Sequence, residues 1–229
     1  MAIYPQCAKC SKVYCSKIPF DKINKNLLPD FCPMKVSEEI IKKVIESYGG
    51  EDVKRIYIPS AITEKEAYEF IRGNLIPVRP RIKELIEFCK LIKAEKIGLA
   101  FCIGLQDEAT RIVKILEEAG FIVASIMCKC GAIDKTKLNV AKEYKIGNPL
   151  EFEAACNPIL QAQLLNDANT TINVIVGLCV GHDMLFTMES KAPVTTLIVK
   201  DRLLGHNPVI ALYSNYLKDL IKSKKGAYS

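Results

Sequence analysis

The chain has 229 residues, 49% of them hydrophobic, with a formal net charge of +6 and ten cysteines. That length suits one α/β domain with a small attachment, or two small domains, and the apolar fraction is enough for a sizeable core. No apolar run is long enough to span a bilayer, and the start, Met1 to Cys7, lacks the basic and apolar regions of a signal peptide; a cytoplasmic protein without a membrane partner is expected.

Ten cysteines in a reducing compartment point to metal binding or catalysis rather than to disulfides. The net charge counts thiols as neutral, and four thiolates around a dication carry about −2, so metal sites would erase much of the positive excess. The lysines are scattered apart from Lys218, Lys222, Lys224 and Lys225, which read as a solvated tail. With no tryptophan and no basic stripe interleaved with aromatics, no nucleic-acid partner is expected.

Residues 1–35 carry no amphipathic period. They carry Cys7-Ala8-Lys9-Cys10, then Cys15, then Cys32-Pro33. A segment this short buries no core of its own, and a metal orders such a segment instead. Cys7, Cys10, Cys15 and Cys32 are therefore expected to ligate one centre. A zinc ribbon has two Cys-x2-Cys knuckles, and the second is missing here. Proline follows the last cysteine, as in bacterial ferredoxin runs, although the other spacings differ. The set favours an iron–sulfur cluster of the 4Fe–4S type over zinc by a narrow margin. The plainer alternative is a closed staple with no part in chemistry.

Helices begin at Ser37, a suitable N-cap for residues 38–48, with Ile40, Ile41, Val44, Ile45 and Tyr48 on one face and Gly49-Gly50 as the stop. Thr63 and Glu66 form a capping-box pattern ahead of Ala67, Phe70 and Ile71. Pro80 suits the first position of a third helix, striped by Ile82, Leu85, Ile86, Cys89 and Ile92, with Cys89 a core residue. These helices are expected to cover one face of the sheet that follows.

Four β-branched or apolar runs then alternate with helical patterns: strands over 97–101, 121–127, 172–176 and 194–199. Helices are expected over 106–119, from Asn157-Pro158, over 183–189, and from Asn207-Pro208 with Leu212, Tyr213, Tyr216, Leu217 and Leu220. The polar residues 132–150 suit a flap over the strand ends. This alternation predicts an α/β fold: a parallel, Rossmann-like sheet flanked by helices over residues 36–229, preceded by the cysteine-rich segment 1–35.

Three strands run into cysteine and glycine. They lead into Cys102-Ile103-Gly104, Cys128-Lys129-Cys130-Gly131, and Gly177-Leu178-Cys179-Val180-Gly181-His182-Asp183. Ligands in open parallel sheets sit beyond the carboxyl ends of the strands. Lys200-Asp201 ends the fourth strand, His206 precedes the last helix, and Cys156 directly precedes an N-cap, where helix amides stabilise a thiolate. Taken singly, Cys102 reads as a buried hydrophobe continuing its strand, Cys130 as a neighbour of Cys128, Asp183 as a helix cap, and Lys200–Asp201 as a surface pair. Cys128, Cys156 and Cys179 come from three separate elements, and three thiolates with one open position describe a catalytic metal or cluster. These three are the expected ligands, with His182, Asp183 and Lys200 moving protons. No Gly-x-Gly-x-x-Gly follows the first strand, so no nicotinamide cofactor is expected.

The runs Cys156-Asn157-Pro158-Ile159-Leu160-Gln161-Ala162, Gly177 to Asp183, Ala192-Pro193-Val194-Thr195-Thr196-Leu197, Lys200-Asp201-Arg202 and Gly205-His206-Asn207-Pro208, together with the N-terminal cysteines, resemble an uncharacterised prokaryotic family labelled only as metal-binding. The resemblance implies metal binding and supplies neither substrate nor reaction. Two readings follow from the residues. One is an enzyme doing redox or sulfur-transfer chemistry, of a desulfidase type for example, with a small-molecule substrate or electron donor as partner. The other is a non-catalytic zinc or iron–sulfur carrier or sensor.

Overall fold

The structure, a computed structural model, describes residues 4–222. Met1 to Ile3 of the expected leaderless start, and Lys224 and Lys225 of the lysine group, lie outside the described residues. The chain forms two compact units, Met1–Lys65 and Glu66–Ser229.

The first unit contains the cysteine-rich stretch. Four short 3-10 turns, Cys7–Lys9, Tyr14–Ser16, Phe20–Lys22 and Lys25–Leu27, precede helices α1 (Pro33–Val36), α2 (Glu38–Ser47) and α3 (Glu51–Glu66). Its small core joins Ile23, Leu28 and Cys32, with Tyr14 and Met34 packed against them. The apolar side chains of α2 are largely exposed, Ile40 at 67% and Ile45 at 68%.

In the second unit, residues 68–77 differ from the helical expectation. They form an antiparallel hairpin, β1 (Tyr68–Ile71) with β2 (Asn74–Pro77). Arg72 and Gly73 form the turn, both at positive φ (51° and 81°), which is what a two-residue type I′ hairpin turn requires. The Thr63–Glu66 pattern belongs to the last turn of α3, not to a new N-terminus. Helix α4 (Arg81–Leu91) follows with Pro80 as its N-cap.

The main sheet has four parallel strands: β3 (Lys96–Phe101), β4 (Ile122–Met127), β5 (Ile172–Val176) and β6 (Val194–Ile198), in the spatial order β4-β3-β5-β6. The sequence predicted this sheet and its parallel sense. Helices α5 (Gln106–Glu118), α6 (Pro158–Asp167) and α7 (His182–Glu189) link the strands. The chain leaves β3 toward β4, then crosses back to β5 on the other side of β3. Right-handed crossovers therefore place α5 and α6 on opposite faces. Leu85, Ile86 and Cys89 of α4 join Ile97, Leu99, Val174, Val176, Leu116 and Leu165 in one core. The predicted last helix is interrupted: α8 (Ile210–Tyr213) ends before Ser214, whose hydroxyl accepts the Leu217 N–H at the start of α9 (Asn215–Lys222).

Between β4 and α6 the chain has no long element, as predicted, but it is tied down by charge. The Asp134 carboxylate accepts the Thr136 and Glu153 backbone N–H groups (2.9 and 2.8 Å) and pairs with the Lys145 ammonium at 3.0 Å. Lys135 pairs with Glu153 at 2.5 Å. These donors hold the Asp134 carboxyl well below the usual carboxylate range.

Candidate active site

Strand order reverses between β3 and β5, and such a reversal opens a crevice at the carboxyl edge of a parallel sheet. Here the loops after β3 and β5 meet. Gly177 has φ +67°, and a Cβ on it would stand 2.6 Å from a Leu105 methyl, so glycine is needed both for the turn and for the close approach. Leu105 is fully buried and forms the floor of this junction.

Backbone bonds that continue the sheet ladders place three cysteines side by side. The Cys102 N–H donates to Val176 O at 3.1 Å, the Cys128 N–H to Phe101 O at 2.8 Å, and the Asn157 N–H to Cys128 O at 2.8 Å. Asn157 also caps α6, its side chain accepting the Leu160 N–H at 3.0 Å. Cys156 is thereby held against Cys128, with the two sulfurs 3.8 Å apart. Gln161 of α6 ties the same strands from below, its Nε2 donating to Phe101 O (3.3 Å) and Ile126 O (2.7 Å).

The three thiols form a row. Cys128 lies in the middle, its sulfur 3.8 Å from that of Cys156, and its ionisation is linked to both Cys102 and Cys156. At the inner end, Lys200 Nζ donates to Cys102 Sγ at 3.4 Å. Gly104 leaves room for that ammonium, since a Cβ there would stand 3.1 Å from it. At the outer end the His182 imidazole lies beside Cys156 and acts on its ionisation, with the Lys129 ammonium nearby. Cys102 and Cys128 are buried, at 7% and 2% exposure, while Cys156 is half-buried.

The electrostatics follow from this order. Cys102 is held down to about 5 by the Cys128 thiol, the Gly104 N–H and Lys200, against its burial. Cys156 is held down to about 4 by the Cys128 thiol, then His182 and Lys129. Cys128, between two thiolates and buried, keeps its proton well above the ordinary thiol range; the Ile103 N–H, 3.4 Å from its sulfur, opposes that only weakly. His182 is raised by the Cys156 thiolate. Thiolates beside cationic groups are the nucleophilic form of cysteine.

The remaining expected residues are placed as follows. Cys179 turns to Arg202, whose guanidinium donates to its sulfur at 2.9 Å. The Asp183 carboxylate accepts the Gly181 and Met184 N–H groups (2.9 and 2.8 Å) at the start of α7. His206 Nδ1 accepts the Asp201 N–H at 3.1 Å. Cys130 is half-buried and its thiol is pushed up by burial. Of the three expected strand-end ligands, Cys128 and Cys156 are adjacent. Cys102, read from sequence as a plain buried hydrophobe, is buried but joins the row. The signal that could have placed it is the parallel register itself, which pairs Phe101 with both Met127 and Val176. Lys129, Arg202 and Gln161 were not singled out by sequence; a glutamine on the apolar face of α6 was the one visible oddity.

In the N-terminal unit, Cys10 is lowered by N–H donors from Val13 and Lys12, an environment that suits a thiolate ligand. Cys7 and Cys15 are exposed and Cys32 is buried. Among the described residues, no three His, Cys, Asp or Glu side chains are grouped to hold a metal ion.

The family model for DUF1847, described as a protein of unknown function, matches residues 32–197. This chain belongs to the DUF1847 family. The match takes in Cys102, Cys128, Cys156 and His182. An uncharacterized protein of Methanocaldococcus jannaschii is 43% identical over 220 residues, covering 96% of this chain and all of that relative. No solved structure matches this DUF1847 chain. Among its described residues, no helix is long and apolar enough to cross a membrane.

Proposed function

We propose that this is a metal-binding enzyme whose strand-end thiols carry out redox or sulfur-transfer chemistry on a small molecule. The observation that carries the reading is the row Lys200–Cys102–Cys128–Cys156–His182, with the Lys200 ammonium 3.4 Å from Cys102 and the Cys128 and Cys156 sulfurs 3.8 Å apart, an arrangement that favours the thiolate at both outer sulfurs. A closed staple has no use for an imidazole against its outermost sulfur. Cys156 is the nucleophile, because it combines access with the His182 partner. The row lies at the crevice where open α/β sheets place their chemistry.

Cys7, Cys10, Cys15 and Cys32 bind the metal, an iron–sulfur cluster in preference to zinc. The amides aimed at Cys10 and the burial of Cys32 against Tyr14 support a site here. Metal binding would draw the four sulfurs together and order the segment. Anaerobic purification followed by iron, sulfide and zinc analysis tests the metal, with loss expected in Cys10→Ser. Competition between a small electrophile and candidate sulfur donors tests the thiol site. Cys156→Ser should abolish both reactivity and turnover, and full reactivity in that variant would end the reading.

A further inference from the structure

We propose that Cys156 and Cys128 are an attacking and a resolving thiol for a sulfane-sulfur donor, a persulfide R–S–S–H, and that their product state is a Cys128–Cys156 disulfide. This rests on the reading of the thiol row above and gives it a substrate class.

Geometry assigns the roles. Cys156 is the half-buried member of the row; Cys128 is 2% exposed and Cys102 7%. A donor from solvent therefore meets Cys156 first. Cys128 sits 3.8 Å behind it, and closing to a bond of about 2.05 Å needs under ~2 Å of movement. The partial burial of Cys156 also selects the donor. Both sulfurs of an ordinary disulfide carry a carbon chain, whereas the terminal sulfur of a persulfide carries only hydrogen and can reach a half-buried thiolate. Two buried polar atoms without a hydrogen-bond partner border the row: His182 Nδ1, and Oε1 of Gln161, whose amide is anchored on Phe101 O just before Cys102. A small polar guest suits that setting better than an alkyl chain does.

The steps balance. The Cys156 thiolate attacks the terminal sulfur of R–S–S–H; the S–S bond breaks, Cys156–S–S–H forms, and R–S⁻ leaves, taking its proton from the His182 imidazolium. With the Cys156 thiolate consumed, one of the two groups that held the proton on Cys128 is gone, and Cys128 passes that proton to the Cys102 thiolate beside Lys200. The Cys128 thiolate then attacks the Cys156 sulfur, forming Cys128–S–S–Cys156 and expelling HS⁻. Two molecules of a low-molecular-weight thiol reduce that disulfide, becoming one disulfide themselves and restoring both protein thiols. In sum, the sulfane sulfur is reduced to sulfide and two thiols are oxidised.

The test uses the full chain, glutathione persulfide as donor, and non-reducing peptide mass spectrometry with a sulfide assay. In the wild type, one sulfide per chain should be released without added thiol, and the Cys128–Cys156 cross-link should appear. In Cys128→Ser, sulfide release should fall about tenfold or more while Cys156 retains the mass of one added sulfur. Glutathione disulfide should leave the row unmodified. A wild-type cross-link joining other cysteines, or none beside stoichiometric sulfide, overturns the pairing without any variant. Wild-type release by Cys128→Ser with Cys156→Ser inactive overturns the resolving role but spares the thiol site, and wild-type release by Cys156→Ser ends both. Equal reaction with glutathione disulfide overturns the substrate class.

Discussion

The backbone N–H of Asn157 donates to the carbonyl of Cys128 at 2.8 Å, so the residue that caps α6 is also stitched to the loop after β4. One asparagine thus fixes both the start of a helix and the spacing of two thiols on either side of a long irregular segment. Asn157→Ala removes the cap but keeps the backbone bond. It should cost about 1 kcal/mol, read as a lower midpoint in urea. Cys156 reactivity should change less than stability; an unchanged midpoint would show that the cap carries no load.

Cys156 should be alkylated by iodoacetamide at pH 5–6, where an ordinary thiol is almost wholly protonated. Its ionisation is depressed to about 4 in the folded chain. The thiolate therefore persists down to that pH, and its stabilising contribution, full above the unfolded thiol range, is lost as pH falls through about 4. His182→Gln should move the reactivity profile upward. Cys89 is the internal control: burial pushes its thiol up to about 12, so it should label only after unfolding. Peptide mapping of label against pH reads both.

Asp134→Asn should loosen residues 134–153 without unfolding the sheet. The variant leaves the Lys145 ammonium, its side chain only 4% exposed, without its carboxylate partner. Because the Asp134 carboxyl is depressed in the folded chain, its contribution is present above the ordinary Asp range and fades as pH falls toward the folded value. Hydrogen exchange at pH 7 should rise in this segment in the variant, and in the wild type on acidification. Faster exchange in β3 or β5 instead would count against the separation.

Gly177→Ala should destabilise the second unit by about 1–3 kcal/mol, since its Cβ would press on Leu105 in a left-handed backbone. The effect should appear in the thermal midpoint. A neutral result would mean that the two loops move apart freely.

The parallel sheet was legible because β3, β4 and β5 are short β-branched or apolar runs, and the cysteine–glycine sequences after them marked one edge. Cys128, Cys156, His182 and Lys200 were legible as candidates for the same reason. The hairpin at 68–77 was missed because Phe70 and Ile71 suit a helix stripe as well as a strand; Arg72-Gly73 decided the matter through backbone conformation, not hydrophobicity. The place of Cys102 depended on Lys200, 98 residues later, and no local pattern encodes that approach. Cys179 was drawn toward Arg202 for the same kind of reason: which neighbour a thiol meets beyond a strand end is set by loop geometry, not by spacing along the chain.

The segment between Cys128 and Cys156 is the longest stretch of the second unit held by ions rather than by helix or strand. A bridge between these two sulfurs would close it into a covalent ring, restricting the unfolded chain by roughly 3.6 kcal/mol on loop-entropy grounds. Turnover would then be coupled to mechanical state. The fold would be less stable with its thiols reduced and ready, and more stable with them spent, so resistance to proteolysis would become a reading of how many molecules in a population have already reacted.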